Sequence, residues 1–256
     1  MPYFERTGPT TFRATEHVGG AWNTDEQHIA PSLGLMTHAV EADHRRRRDG
    51  DVLAVSRLSF DILGVLPIDE VDLEVRVLRA GRTIELVEAV LSHAGRPAVL
   101  VRAWLLAERD TAALAGSDLP PLPSPDAMPC WDPTEVWPGG FIASARLRRD
   151  QESPGRARYW VRTDVPLLDE PTSPLASAAG LFDIANGMTV RVAPTEVAFP
   201  NVDLTAHLFR SPRPGWLGFD TTVSFGPDGR GLTSSRIHDE DGPVGTLAQT
   251  LTVRPA

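Results

Sequence analysis

The feature that most constrains this chain is that it repeats itself. Leu33-Gly34-Leu35-Met36-Thr37 lies on Ala179-Gly180-Leu181-Phe182-Asp183 at an offset of 146 residues (183 − 37), and Val55 to Ser59 lies on Asn201 to Thr205 at the same offset (201 − 55). Gly95 to Arg102 lies on Gly242 to Gln249 at an offset of 147 (249 − 102). Identity within these pairs is low, but the spacing is nearly constant across three elements. A period this long describes a duplicated domain, since solenoid repeats run to roughly 20–50 residues.

Each copy shows the same order of elements. In the first, TFRATEHV reads as a short strand, and APSLGLMTHAVEADHRRR follows with Leu33, Met36, Ala39 and Val40 at helical spacing. Pro31 suits a first helical turn and the arginines at 45–48 suit its last, where cations complement the dipole. The strands LAVSRLSFDIL, EVDLEVRVLRA, TIELVEAVLSHA and AVLVRAWLLAE come next, with Ala-Gly-Arg turns between them. In the second copy RYWVRTDV is the opening strand, SPLASAAGLFDIANGMT the helix, and EVAFPNVDLTAHLF, GWLGFDTTVSFG, GLTSSRIHDE and VGTLAQTLTVR the strands. The copies are separated by SDLPPLPSPDAMPCWDPTEVWPGG at 117–140, whose prolines are incompatible with a helix interior or a central strand.

A strand, a helix and four antiparallel strands wrapped on that helix make a hot dog. The expected class is therefore α+β, a double hot dog with two helix-wrapping antiparallel sheets. The expected domains are 1–116 and 141–256, joined by a linker at 117–140.

Composition narrows the function classes. A net charge of −9 argues against nucleic acid as the main partner, which wants a basic face. The single cysteine, Cys130, cannot form an internal disulfide and suits a reducing compartment. The opening MPYFERTGPTTF has neither a basic nor an apolar signal region, and no run reaches the roughly 18 apolar residues of a membrane span. A cytoplasmic protein is the expectation. The seven histidines show no HxxxH or HExxH spacing, so no metal is expected, and no Gly-x-Ser-x-Gly elbow marks a serine hydrolase.

The segments HIAPSLGLMTHAVE, LRAGRT, GLFDIANG, FPNVDLTAHLFR, GWLGFD and DGPVGTLAQTLTVRP, in that order, resemble the double hot-dog acyl-CoA thioesterases of the thioesterase II-like family. The resemblance covers nearly the whole chain outside the linker. It implies an acyl-CoA substrate, no cofactor and association as a homodimer. It also implies a catalytic set of a carboxylate on the second helix, a polar residue opening the next strand and a glutamine on the last strand: Asp183, Asn201 and Gln249. Asp183 would be general base or nucleophile, Asn201 would hold it, and Gln249 would orient the water. Oxyanion donors would be backbone N–H groups near Pro31 to Gly34. Asn201 stands where better-known members have Thr, which keeps a non-catalytic acyl-binding protein as the alternative. An enoyl-CoA hydratase, which shares the fold, would need an Asp and His set on one helix, and residues 184–186 do not supply it.

The repeat adds an argument that needs no family. The positions matched to Asp183, Asn201 and Gln249 are Thr37, Val55 and Arg102, so one site per chain is expected. Along the strand after Asn201, Asp203, Thr205 and His207 continue a polar row, expected to pair with neighbouring strands. His28 reads as a cap or surface residue that is able to touch substrate. His38 reads as a packed histidine, and Arg45 to Arg48 as a solvated helix end.

Overall fold

A computed structural model describes residues 1–48, 50 and 52–255. In chain order the first copy holds β1 (Phe4–Arg6), β2 (Thr11–Ala14), α1 (Ile29–Arg47), β3 (Ala54–Ile62), β4 (Glu70–Arg79), β5 (Ile84–His93) and β6 (Arg96–Leu106). Next come β7 (Cys130–Trp131) and α2 (Gly140–Ser144). The second copy holds β8 (Ala145–Ser153), β9 (Arg156–Thr163), α3 (Pro174–Ala179), β10 (Val197–Ala198), β11 (Asp203–Leu208), β12 (Leu217–Phe225), β13 (Arg230–Asp239), β14 (Gly242–Thr252) and β15 (Arg254–Pro255).

The two expected sheets are one. Thirteen strands form a continuous sheet in the order β1-β2-β4-β5-β6-β3-β11-β14-β13-β12-β9-β8-β7, and β10 pairs with β15 apart from it. The junction is the antiparallel pair β3–β11, where Ser59 faces Thr205, Leu58 faces Ala206 and Phe60 faces Leu204. Leu58 there meets the repeat equivalent of Phe60, Phe60 meets that of Leu58, and Ser59 meets its own, with a 2.9 Å bond between the two hydroxyls. A local twofold passes through that pair. Joining the edges satisfies two rows of backbone groups that separate sheets would leave open. Leu58, Phe60, Leu204 and Ala206 are fully buried at the seam.

This register corrects the third repeat match. Ser59 pairs with Arg102 in β6, and Thr205 pairs with Ala248 in β14. Arg102 is therefore equivalent to Ala248, and Gln249 to Ala103, at the same offset of 146 (249 − 103). The hairpin glycines misled the alignment. The β5–β6 turn carries Ala94 and Gly95, both at positive φ, between the paired His93 and Arg96. The β13–β14 turn carries Glu240 and Asp241 between Asp239 and Gly242. Matching Gly95 to Gly242 slips the strand by one residue, and a one-residue slip exchanges the two faces of a sheet. Arg102 accordingly lies on the outer face, donating to Glu88, whereas Ala103 is fully buried.

The helices differ from each other. α1 runs its full expected length, capped by His28, but the second helix stops at Ala179 and resumes as a single 3₁₀ turn at Phe182–Ile184. Ser173 caps α3 and Pro174 opens it. The interruption falls where α1 crosses. A Cβ on Gly34 would stand 2.8 Å from the Ala176 carbonyl oxygen and 2.9 Å from the Gly180 Cα. Gly34 and Gly180 are repeat equivalents (180 − 34 = 146), so the local twofold also passes between the helices.

Arg45, Arg46 and Arg47 at the end of α1 are exposed, as expected of a solvated helix end, but two of the four arginines are also tied to a buried carboxylate. Arg47 and Arg48 both donate to Glu85, which His44 also meets from its Nδ1 at 2.9 Å. These charge-assisted bonds hold the buried Glu85 carboxyl at about 2, against the upward push of burial. Residues 117–140 touch both copies: Gly139 and Gly140 lie against the backbone of Glu16 to Gly20, and the preceding part lies on the second copy. Trp160 donates to the Pro123 carbonyl, β7 extends the sheet, and Pro125, Met128, Pro133 and Trp137 are buried. Among the described residues no helix is long and apolar enough to cross a membrane.

Candidate active site

Asp183 sits in the 3₁₀ turn that follows α3, not on the helix itself. The turn drives its carboxyl inward between Phe182 and Ile184, leaving the residue 6% exposed. Asn201, just ahead of β11, donates from Nδ2 to Asp183 Oδ1 at 2.6 Å. Gln249 lies on the inner face of β14 between the buried Leu247 and Leu251, and donates from Nε2 to the same oxygen at 2.9 Å. The three side chains selected from the sequence therefore converge on one atom, across 66 residues of chain. Oδ2 makes no hydrogen bond to the described residues.

Burial pushes the Asp183 carboxyl up to about 7, and the two amide donors pull it part of the way back. His28 Nδ1 stands 4.0 Å from Oδ2, near enough for an ion pair if a proton lay between them. None does. Nδ1 accepts the Ala30 amide as the N-cap of α1, at 3.2 Å, so the ring proton is on Nε2. Burial drives the imidazole down to about 3 and keeps it neutral.

Asp183, Asn201 and His28 line a cavity of about 420 Å³, with Ile29, Trp22, Trp137, Phe199 and Met188 among its apolar walls. Three aromatic rings form one side. Trp22 lies edge-on to Trp137 at 4.7 Å and to Phe199 at 5.2 Å, and Trp137 to Phe199 at 5.8 Å. Trp137 is fixed by its Nε1 donating to the Gly187 carbonyl at 2.8 Å. This wall escaped the sequence reading. Trp22 comes from the first copy, Phe199 from the second and Trp137 from the proline-rich connection, and no periodicity links them. Gln249 is not among the lining residues: it holds Asp183 from behind, while its Oε1 is buried without a partner.

The oxyanion donors expected at Pro31 to Gly34 are not where the cavity is. Pro31 has no N–H, the Ala30 amide is taken by His28, and Gly34 is packed against α3. Of α1, Ile29 alone lines the cavity, beside the cap residue. The equivalent positions in the first copy hold no such machinery. Thr37 is buried with its hydroxyl donated to the Leu33 carbonyl, and Val55 and Ala103 are apolar. The polar row beyond Asn201 is structural in part: Thr205 bonds Ser59, and Asp203 accepts the Thr250 amide, while His207 is exposed. His38 is packed, with Nε2 3.0 Å from Glu170. Among the described residues no cluster of three or more His, Cys, Asp or Glu side chains could hold a metal ion.

Two family models match the sequence. One described as the acyl-CoA thioesterase N-terminal domain covers residues 18–106, and one described as the acyl-CoA thioesterase C-terminal domain covers residues 116–253. Among solved structures, a candidate thioesterase of Novosphingobium aromaticivorans is 20% identical with a TM-score of 0.76, over 98% of each chain. A hot-dog protein of Alicyclobacillus acidocaldarius is 15% identical with a TM-score of 0.76, over 97% of this chain and 95% of that one. Acyl-CoA thioesterase II of Mycobacterium marinum is 17% identical with a TM-score of 0.71, over 99% and 96%. At these identities the likeness is one of fold. No curated protein matches the sequence.

Proposed function

Because this chain belongs to the acyl-CoA thioesterase family and is a thioester hydrolase, we propose that Asp183 activates the water that cleaves an acyl-CoA into a carboxylic acid and free CoA. The observation that carries this is the asymmetry of the carboxyl group. Oδ1 is anchored by Asn201 and Gln249, so Oδ2 is held at the cavity wall with its lone pairs uncommitted. A water bound to Oδ2 loses its proton to Asp183 as its oxygen attacks the thioester carbonyl. The C–S bond then breaks with its electron pair on sulfur, and the CoA thiolate takes up the proton that Asp183 received, which restores the carboxylate. The aromatic and aliphatic walls suit an acyl chain, which needs an apolar surface and no hydrogen bonds. Gln249 acts here by fixing the carboxylate, and Asn201 fills the role from a side chain that donates where Thr would also donate.

The test is thiol release from a panel of acyl-CoAs of graded chain length, with the pH dependence measured on the best of them. The base works as the carboxylate, and burial raises its pKa to about 7. We expect kcat/KM to rise about tenfold per pH unit below about 7 and to level above it. A carboxyl of ordinary pKa, near 4, would give a flat profile from pH 5 to 8. A flat profile sinks the assignment of Asp183 as base; no thiol release from any acyl-CoA favours a protein that binds acyl groups without cleaving them.

A further inference from the structure

We infer that His28 donates its Nε2–H to the carbonyl oxygen of the bound thioester and holds the oxyanion that develops there. The inference rests on the hydrolase reading above and assigns the electrophilic half of the site, which Asp183, Asn201 and Gln249 leave open.

Thioester attack moves the carbonyl π pair onto oxygen, and a donor must face that oxygen. Of the backbone donors at the start of α1, the Ala30 amide is used by the cap and Pro31 has none, which leaves the Ile29 amide on the cavity wall beside the His28 ring. Of the polar residues on the cavity wall, which include Asn23, Gln27, Asn186 and Asn201, His28 is the one with a ring nitrogen 4.0 Å from Asp183 Oδ2. Its tautomer follows from local structure. As N-cap it accepts at Nδ1, which puts the proton on Nε2, and Nε2 has no hydrogen-bond partner among the described residues.

The ring is held from several sides. Phe141 lies against it at 4.3 Å between centroids. The His28 amide donates to the Val18 carbonyl at 2.7 Å, and the preceding Gln27 amide to Leu66 at 2.8 Å. A donor fixed before substrate arrives costs no reorganisation during reaction. His28 Nδ1 is 4.0 Å from Asp183 Oδ2 and the nitrogens of an imidazole are about 2 Å apart, so Nε2 stands no more than about 6 Å from Oδ2, within reach of the carbonyl oxygen of a thioester whose carbon a water on Oδ2 attacks at about 3 Å. The imidazole stays neutral throughout. The water proton goes to Asp183, the oxyanion is stabilised and not protonated, and the C–S pair leaves on sulfur.

Two substitutions separate donation from capping, because Asn and Gln each reproduce one nitrogen of the ring. His28→Asn keeps an oxygen for the Ala30 amide, Asn being a preferred N-cap, but places nothing at Nε2. His28→Gln places an amide N–H near the Nε2 position and gives up the cap. The melting temperature, kcat and KM are measured for both with the best acyl-CoA of the panel. The expected result is that His28→Asn melts close to the wild type, with kcat lowered about 10²–10³-fold and KM changed only a few-fold. His28→Gln should melt lower yet recover at least tenfold of the lost kcat. A His28→Asn enzyme with near-normal kcat, or equal kcat losses in the two variants, overturns the inference. Should His28→Asn fail to fold, His28→Gln decides: kcat within about a hundredfold of the wild type supports donation, and any larger loss overturns it. A wild type that releases no thiol removes the hydrolase reading itself, whereas an active wild type with the wrong variant pattern removes only the role of His28.

Discussion

Asp183→Asn is expected to lower kcat by ~10²–10⁴-fold while leaving acyl-CoA binding nearly intact, and to raise the melting temperature at pH 8. Both effects have one origin. The amide has almost the shape of the carboxyl, and its oxygen accepts from Asn201 and Gln249 as Oδ1 does now. It has no charge with which to take a proton from water, so the chemical step slows. The same charge is a burden on the fold. Burial raises the native pKa to about 7, whereas the unfolded chain has its ordinary value near 4. Between those two values the native state holds a proton that the unfolded state has released, so stability falls as pH rises through the window and stays low above it. The penalty is on the order of a few kcal/mol at pH 8, and Asp183→Asn abolishes it. Denaturation at pH 5 and pH 8 checks this: the gain should be larger at pH 8. Thr37→Ala, at the equivalent position of the first copy, should leave the rate near normal. Loss of turnover in Thr37→Ala with full turnover in Asp183→Asn would reverse the assignment of the site to the second copy.

Gly34→Val is expected to destabilise the protein by about 3 kcal/mol, even though Val is a better helix former than Gly. The added Cβ would fall 2.8 Å from a backbone oxygen of α3 and 2.9 Å from the Gly180 Cα. Neither is the end of a flexible side chain, so relief requires the two helices to part. For a chain of this size the change corresponds to a fall of about 6–12 °C in melting temperature. Parting the helices also moves the turn that carries Asp183, so kcat should fall with stability. A Gly34→Val protein that melts at or above the wild-type temperature would mean that the crossing is not as close as described.

Much of this protein is readable from its sequence, and the physical reason is that the readable parts are local or repeated. The order of the long strands, the helices and the turns follows from residue periodicity and from where Gly and Pro fall, whereas β1 and β8, which add a strand at the start of each copy, are not among those expected. The offset of 146 residues carries the duplication, and no tertiary information is needed to see it. Asp183, Asn201 and Gln249 could be named because the resemblance to the thioesterase family carries a catalytic set onto those positions.

What required the tertiary structure is pairing between distant parts of the chain. Edge strands carry no label for their partner, so nothing in β3 or β11 alone says that they join two half-sheets into one. Turn glycines at different positions concealed that Ala103, and not Arg102, is the counterpart of Gln249, because only the ladder counts residues by face. The 3₁₀ turn at Asp183 arises where α3 meets the backbone of α1, a contact that overrides helical propensity. The raised pKa of Asp183 and the neutral state of His28 come from exclusion of water, and Trp22, Trp137 and Phe199 help to close their cavity from three unconnected stretches. Desolvation is a property of the packed assembly, which residue types and spacing do not carry until the chain has folded.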